Sequence, residues 1–145
     1  MKLLQIALLC VAIAAGFFAQ DLLQTAKPAD TSTTSEFDKE KYCFLSTSEC
    51  QQAEVSMLLD RDVAKPLTES LITIKWDNAE NDTLSLNLNA LEMDMGTVKY
   101  QLKKQQDGLF TAKIMLPVCV QDKMTWLGDL SDGTTTVHPA IRMER

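Results

Sequence analysis

Histidine is nearly absent from this 145-residue chain: His138 is the only one. With one imidazole, no Gly-rich phosphate loop, no C-x-x-C pair and no carboxylates at a catalytic spacing, no nucleophile–base–acid set can be assembled. The sequence therefore reads as non-enzymatic. Basic residues are also outnumbered, 14 against 20 acidic ones, for a formal charge of −6. A chain of that sign is poorly suited to a polyphosphate backbone, which argues against a nucleic-acid partner. Length excludes a second independent core and leaves room for one domain plus a leader.

One long uncharged run is present, Leu3 to Ala19, "LLQIALLCVAIAAGFFA". It is at the short end for a spanning helix and long for the apolar part of a signal peptide. Cleavage after Ala19 would put bulky Phe17 at the third position back, where small residues are favoured, so the run reads as an uncleaved membrane helix rather than a removed signal. Cys10 follows Leu9, not the small residue that a lipidation site requires, and reads as filler. Lys2 precedes the run and Asp21 follows it, so the positive-inside rule sends the remainder out of the cytoplasm. Without the single basic residue of this leader, the exported part carries 13 − 20 = −7. Residues 1–20 are thus a membrane anchor or signal segment. Residues 21–41, polar and without apolar periodicity, are a flexible linker.

The remaining residues, 42–145, carry short runs of period-two patterning: Ala53 to Leu59, Leu71 to Trp76, Thr83 to Leu88, Thr97 to Leu102, Leu109 to Leu116, Met124 to Leu130 and Thr135 to Arg142. Glycines 96, 108, 128 and 133 fall between or at the ends of these runs. The expected fold is all-β, a single Ig-like β-sandwich of about seven strands behind the N-terminal membrane helix. A short helical turn is expected in the stretch Lys41 to Leu59, ahead of the first strand. Trp76 and Trp126 are expected in the core, and His138 on an edge strand.

One hairpin permits a register to be derived. In "VKYQLKKQQDGLFTAKIML" the residues Val98, Tyr100 and Leu102 alternate on one strand, and Phe110, Ala112, Ile114 and Leu116 on the other. A three-residue loop, Gln106-Asp107-Gly108, sets Leu102 opposite Ala112, Tyr100 opposite Ile114 and Val98 opposite Leu116; a two-residue loop would oppose apolar to polar residues. Extending the ladder outward places Met95 across from Cys119, with Met93 and Met115 beside them, on the face turned away from the core. A bulge at Gly96 or Pro117 would shift that extension by one residue. Thioether and thiol sulfurs select Cu(I) over hard cations, so Met93, Met95 and Cys119 are candidate metal ligands. Methionines also fill irregular gaps in apolar cores, and a patch of this kind can cover a partner.

Outside the leader there are three cysteines, an odd number. The spacing of "CFLSTSEC" suggests a Cys43–Cys50 disulfide closing a small loop and leaving Cys119 free; a reducible Cys43/Cys50 ligand pair is the competing arrangement.

From Leu71 to Met143, the Met-Asp-Met-Gly stretch, the "DGLF" turn, the apolar strand ending in Pro and Cys, and "MTW" ahead of the last strands together resemble the YtkA-like and FixH-like domains. By position, Met93 and Met95 correspond to that family's methionine stretch, Gly108 to its turn glycine and Trp126 to its closing tryptophan. The chain departs from the pattern in having no histidine near the methionines and in adding Cys119. The resemblance implies a single-pass protein of the bacterial inner membrane with its domain in the periplasm. It further implies handling of Cu(I), through delivery of copper to a respiratory oxidase or assembly of that or another inner-membrane complex. The alternative is a scaffolding or interaction module that binds no metal.

Overall fold

The computed structural model describes residues 38–145. The leader, with the expected membrane helix, and most of the linker lie outside the described residues. No helix among the described residues is long and apolar enough to cross a membrane. A 3-10 turn, Lys39–Lys41, opens the domain, capped by Asp38, whose Oδ1 accepts from Glu40 N–H at 3.0 Å. This is the one helical turn among the described residues, and it ends at Lys41 where the stretch Lys41 to Leu59 begins.

The fold is all-β, a sheet-rich sandwich or barrel-like arrangement of ten strands among the described residues: β1 Cys43–Phe44, β2 Cys50–Gln52, β3 Val55–Leu59, β4 Glu69–Lys75, β5 Thr83–Ala90, β6 Thr97–Gln106, β7 Leu109–Met115, β8 Lys123–Ser131, β9 Thr136–Val137 and β10 Pro139–Glu144. Strands pair in the order β1-β10-β8-β5-β6-β7-β4-β3-β2, with β9 paired to β8; β1 and β10 are parallel and the other pairs antiparallel. The expected runs correspond to strands shifted by up to two residues at their ends, except that β6 continues four residues past Leu102 and the last run is divided between β9 and β10; β1 and β2 are too short to show as period-two patterns. Alternation sets the core, as expected for strands with one face buried. Leu84, Leu86 and Leu88 of β5, Ile72 and Ile74 of β4, Phe110 and Ile114 of β7, and Trp126 and Leu130 of β8 are all buried, as is Trp76.

The path bends at the β6–β7 hairpin. Its register near the turn is the one derived from the apolar pattern: Lys103 pairs with Thr111 and Lys104 with Phe110, before a bulge shifts the last pair to Gln106 and Leu109. Gly108 adopts a φ of +71°, and an added Cβ there would collide with Asp77, so two independent constraints require glycine. Beyond Lys103 the two strands part. From there β6 is held by β5 and β7 by β4, which divides the path into two faces around one core.

The last expected strand is interrupted for a local reason. The pairs Leu130↔Val137 and Ala140↔Leu127 belong to one continuous register, yet the two pairs between them, Asp129 with His138 and Gly128 with Pro139, are missing. Pro139 has no N–H to donate, and His138 N–H donates instead to Gln52 Oε1 at 2.6 Å. Gly128 is the residue opposite this break, and an added Cβ would stand 2.9 Å from Pro139 Cγ and 3.0 Å from Leu88 Cδ2. The proline ring and Leu88 occupy the space a side chain would need.

The two ends of the strand path meet. The Cys43–Cys50 disulfide, with Cα atoms 5.9 Å apart, ties β1 to β2. Beside it, the Gln52 side chain receives the His138 N–H and donates its own Nε2–H to Lys41 C=O at 2.9 Å, so a single amide laces the seam. The β8–β9 turn is organised by a buried carboxylate. Asp132, 3% exposed, accepts from the N–H groups of Thr135 (2.7 Å), Thr134 (2.9 Å) and Glu80 (3.1 Å). Burial pushes its pKa up, but the three N–H groups together outweigh burial and hold it below the ordinary value.

Replacing both Cys43 and Cys50 by serine is expected to lower stability by roughly 2 to 3 kcal/mol on the chain-entropy account, read from the urea midpoint. Asp132 contributes stability above about pH 4, where the unfolded carboxyl is ionised, and that contribution is lost as pH falls through its lowered native value. Asp132→Ala should therefore cost about 2 kcal/mol or more at neutral pH and flatten the acid limb of the stability curve.

Candidate functional site

The ends of β5, β7 and β10, and the starts of β4, β6 and β8, lie together at one end of the molecule, because Ala90 pairs with Trp126, Met143 with Met124 and Glu69 with Met115. Two loops join there. Residues 91–96 connect β5 to β6 and carry Met93 and Met95; residues 116–122 connect β7 to β8 and carry Cys119. Cys119 is buried and belongs to no disulfide. Its Sγ lies 2.8 Å from Met93 Sδ, with the thiol as donor. Met93 and Met95 are half-buried and packed against the core, and Met124 and Met143, both buried, face one another across β8 and β10.

The loops are tied down from below. Leu91 N–H donates to Thr125 C=O at 2.9 Å, and Thr125 N–H donates to Glu92 Oε2 at 2.8 Å. Gly96 N–H donates to Asp94 Oδ1 at 2.9 Å, which turns the chain between the two methionines and β6. On the other loop, the Arg145 guanidinium donates to Cys119 C=O at 2.6 Å and Arg145 N–H to Asp122 C=O at 2.9 Å.

This arrangement corrects the route by which the sulfurs were expected to meet. The β6–β7 ladder does not extend to Met95 and Cys119: β7 ends at Met115, Pro117 has no N–H to donate, and Leu116 C=O is taken by Leu67 N–H at 2.9 Å. Into the gap between the parted strands comes Tyr100, whose hydroxyl accepts from Met115 N–H at 3.1 Å and donates to Met115 C=O, replacing a ladder pair with a side chain. Cys119 consequently reaches Met93, not through strand pairing but through the packing of two loops. The expected orientation is corrected as well, since Cys119 is buried and both methionines pack on the core instead of pointing away from it. Met115, 44% exposed, does point outward and stands apart from the group.

His138 lies at the far end of β8 and β10 from Met124 and Met143. It is half-buried rather than fully exposed; its Nδ1 is 2.9 Å from Asp129 Oδ1, and its ring meets Tyr42 edge-on with centroids 5.7 Å apart. No group of three or more His, Cys, Asp or Glu residues suited to a metal ion occurs among the described residues. The loop end carries the sulfurs of Cys119, Met93 and Met95 beside the carboxylates of Glu92, Asp94 and Asp122. Sequence reasoning missed Glu92, Tyr100 and Arg145, whose roles arise from backbone atoms distant in sequence and leave no periodic signal.

Around the two loops, exposed apolar side chains stand among exposed Glu92, Asp94, Gln121, Asp122 and Lys123. Leu67, Leu91, Met115, Val118 and Val120 are exposed, Val120 to 84%, and all belong to this end. Comparison with protein-family models, with curated proteins and with solved structures returns no match.

Tyr100→Phe tests the splint between the parted strands. Loss of the hydroxyl leaves Met115 N–H and C=O without that partner, and a stability loss of about 1 to 3 kcal/mol is expected from chemical denaturation, with the hairpin turn unaffected.

Proposed function

We propose that this chain is a membrane-tethered, extracytoplasmic β-domain that binds Cu(I) through Cys119, Met93 and Met95 and passes it on in the delivery of copper to a respiratory oxidase or the assembly of another inner-membrane complex. In this reading the fold is the Ig-like sandwich of the YtkA-like and FixH-like domains, anchored by the apolar run Leu3 to Ala19 in the bacterial inner membrane, with the domain in the periplasm.

The observation that carries the proposal is the 2.8 Å approach of Cys119 Sγ to Met93 Sδ. Two sulfurs each about 2.3 Å from one soft ion stand about 3.8 Å apart in a tetrahedral site and about 4.6 Å apart in a linear one, so the pair is adjacent in the metal-free chain and must open by roughly 1 to 2 Å to take the ion between them. Met95, two residues from Met93 on the same loop, supplies a third sulfur of the same softness. One thiol with two thioethers favours Cu(I) over Zn(II), Ca(II) or Mg(II), which call for more nitrogen, oxygen or thiolate donors. Burial of the thiol beside the core keeps water away from the donors. Bound Cu(I) is cargo here, and the chain's part is to hold it among soft, weakly charged ligands from which a stronger set can take it.

The apolar collar of Leu67, Leu91, Met115, Val118 and Val120 favours a second reading, an interaction module that docks on a membrane complex and uses no metal. The two readings part on one measurement. Anaerobic Cu(I) titration of the full chain against a competing chelator should give one tight site, and the Met93→Leu, Met95→Leu, Cys119→Ser triple variant should bind roughly 100-fold more weakly. Equal affinities would remove copper from the account and leave the docking module.

A further inference from the structure

We propose that Arg145 is a positioning residue for the Cys119–Met93 pair, holding the thiol-bearing loop shut against the end of β10. The inference rests on the sulfur-site reading above and extends it to what keeps the site assembled.

Residues 116–122 belong to no strand, so their position depends on individual bonds. Leu67 fixes the loop's first carbonyl, at Leu116. Further along, a single residue supplies two restraints: Arg145 reaches Cys119 C=O through its guanidinium and Asp122 C=O through its backbone N–H. Those two carbonyls are three residues apart, so Arg145 braces the loop on both sides of the segment linking the thiol to β8. The bond to Cys119 is charge-assisted and short at 2.6 Å, and it falls on the backbone of the residue whose side chain meets Met93.

The methionine loop has a matching brace. Glu92 accepts from Thr125 N–H, and Thr125 is the β8 residue paired with Arg142 on β10. Both sulfur-bearing loops are thus tied to the same pair of strands, Arg145 lying just beyond β10 and Thr125 within β8. Two loops that make no ladder with each other can hold sulfurs 2.8 Å apart only if each is fixed to a shared frame. Arg145 is the tie that carries the thiol.

The test reads the thiol directly, with or without copper. Iodoacetamide alkylation of Cys119 should be slow in the metal-free full chain with the Cys43–Cys50 disulfide intact, because the residue is 8% exposed. Arg145→Ala should speed alkylation by about tenfold, the size expected for losing a hydrogen bond from a charged donor, and weaken Cu(I) binding by a similar factor. Arg145→Lys keeps a charged donor and should recover most of both values. Arg142→Ala is the control: it lies three residues before Arg145, on β10, and its guanidinium sits 5.6 Å from the ring centroid of Phe44 on β1, whereas the bond to Cys119 C=O comes from Arg145. An unchanged alkylation rate in Arg145→Ala, no recovery by lysine, or an equal acceleration in Arg142→Ala would overturn the proposal. Failure of the unaltered chain to bind Cu(I) would instead strike the copper reading, and the alkylation comparison would still decide the role of Arg145.

Discussion

Closure of the strand path on itself is the constraint from which the rest of this structure follows. A nine-strand path has two free ends, each of which would present unpaired N–H and C=O groups and one side of its apolar residues to water. Here the ends are the two shortest elements of the path, β1 and β2, and they are joined by a covalent bond and by the two hydrogen bonds of Gln52. The join turns a strip into an enclosure, so that inward residues from distant strands share one core. His138 lies on this seam, its C=O accepting from Cys43 N–H and its N–H donating to Gln52, while the sulfur residues lie at the opposite end of β8 and β10.

At that opposite end the ladders stop and loops take over, which is where a binding centre can be built without disturbing the core. Strands fix positions to within the pleat, and the loops then need only short ties to be placed accurately. Glu92, Asp94 and Arg145 are such ties, each contacting a backbone atom. Cys119 is buried in the core, and the two half-buried methionines pack against it.

The β-character, the strand positions and the inner register of the hairpin were legible in the sequence because alternating burial constrains them: a one-residue slip would turn one of the two apolar sets, Leu102 on one strand or Phe110 and Ile114 on the other, away from the core, and the short turn at Gly108 excludes larger shifts. The disulfide was legible from cysteine spacing and an odd cysteine count. The outer part of the hairpin was not, because the period-two pattern runs on through Val98 and Leu116 with nothing to mark where β6 and β7 part. Tyr100 reads as one more inward aromatic, although its hydroxyl is what ends the ladder. In the same way the proximity of Met93 to Cys119 was anticipated as a neighbourhood but assigned to the wrong mechanism. Loop–loop packing leaves no period in the sequence, and Arg145 carries no local mark at all.

The parallel pairing of β1 with β10 has a consequence for how the chain comes into being. Phe44 must wait for Ala140, almost the whole domain later, before it has a neighbour on its own ladder. Contacts of such long separation are slow to form and cannot begin while the chain is still being made. The staple, by contrast, spans only seven residues and needs nothing downstream. A newly synthesised chain can therefore fasten Cys43 to Cys50 first, so that β1 and β2 arrive at the final step already side by side and the last strand to appear completes the wall.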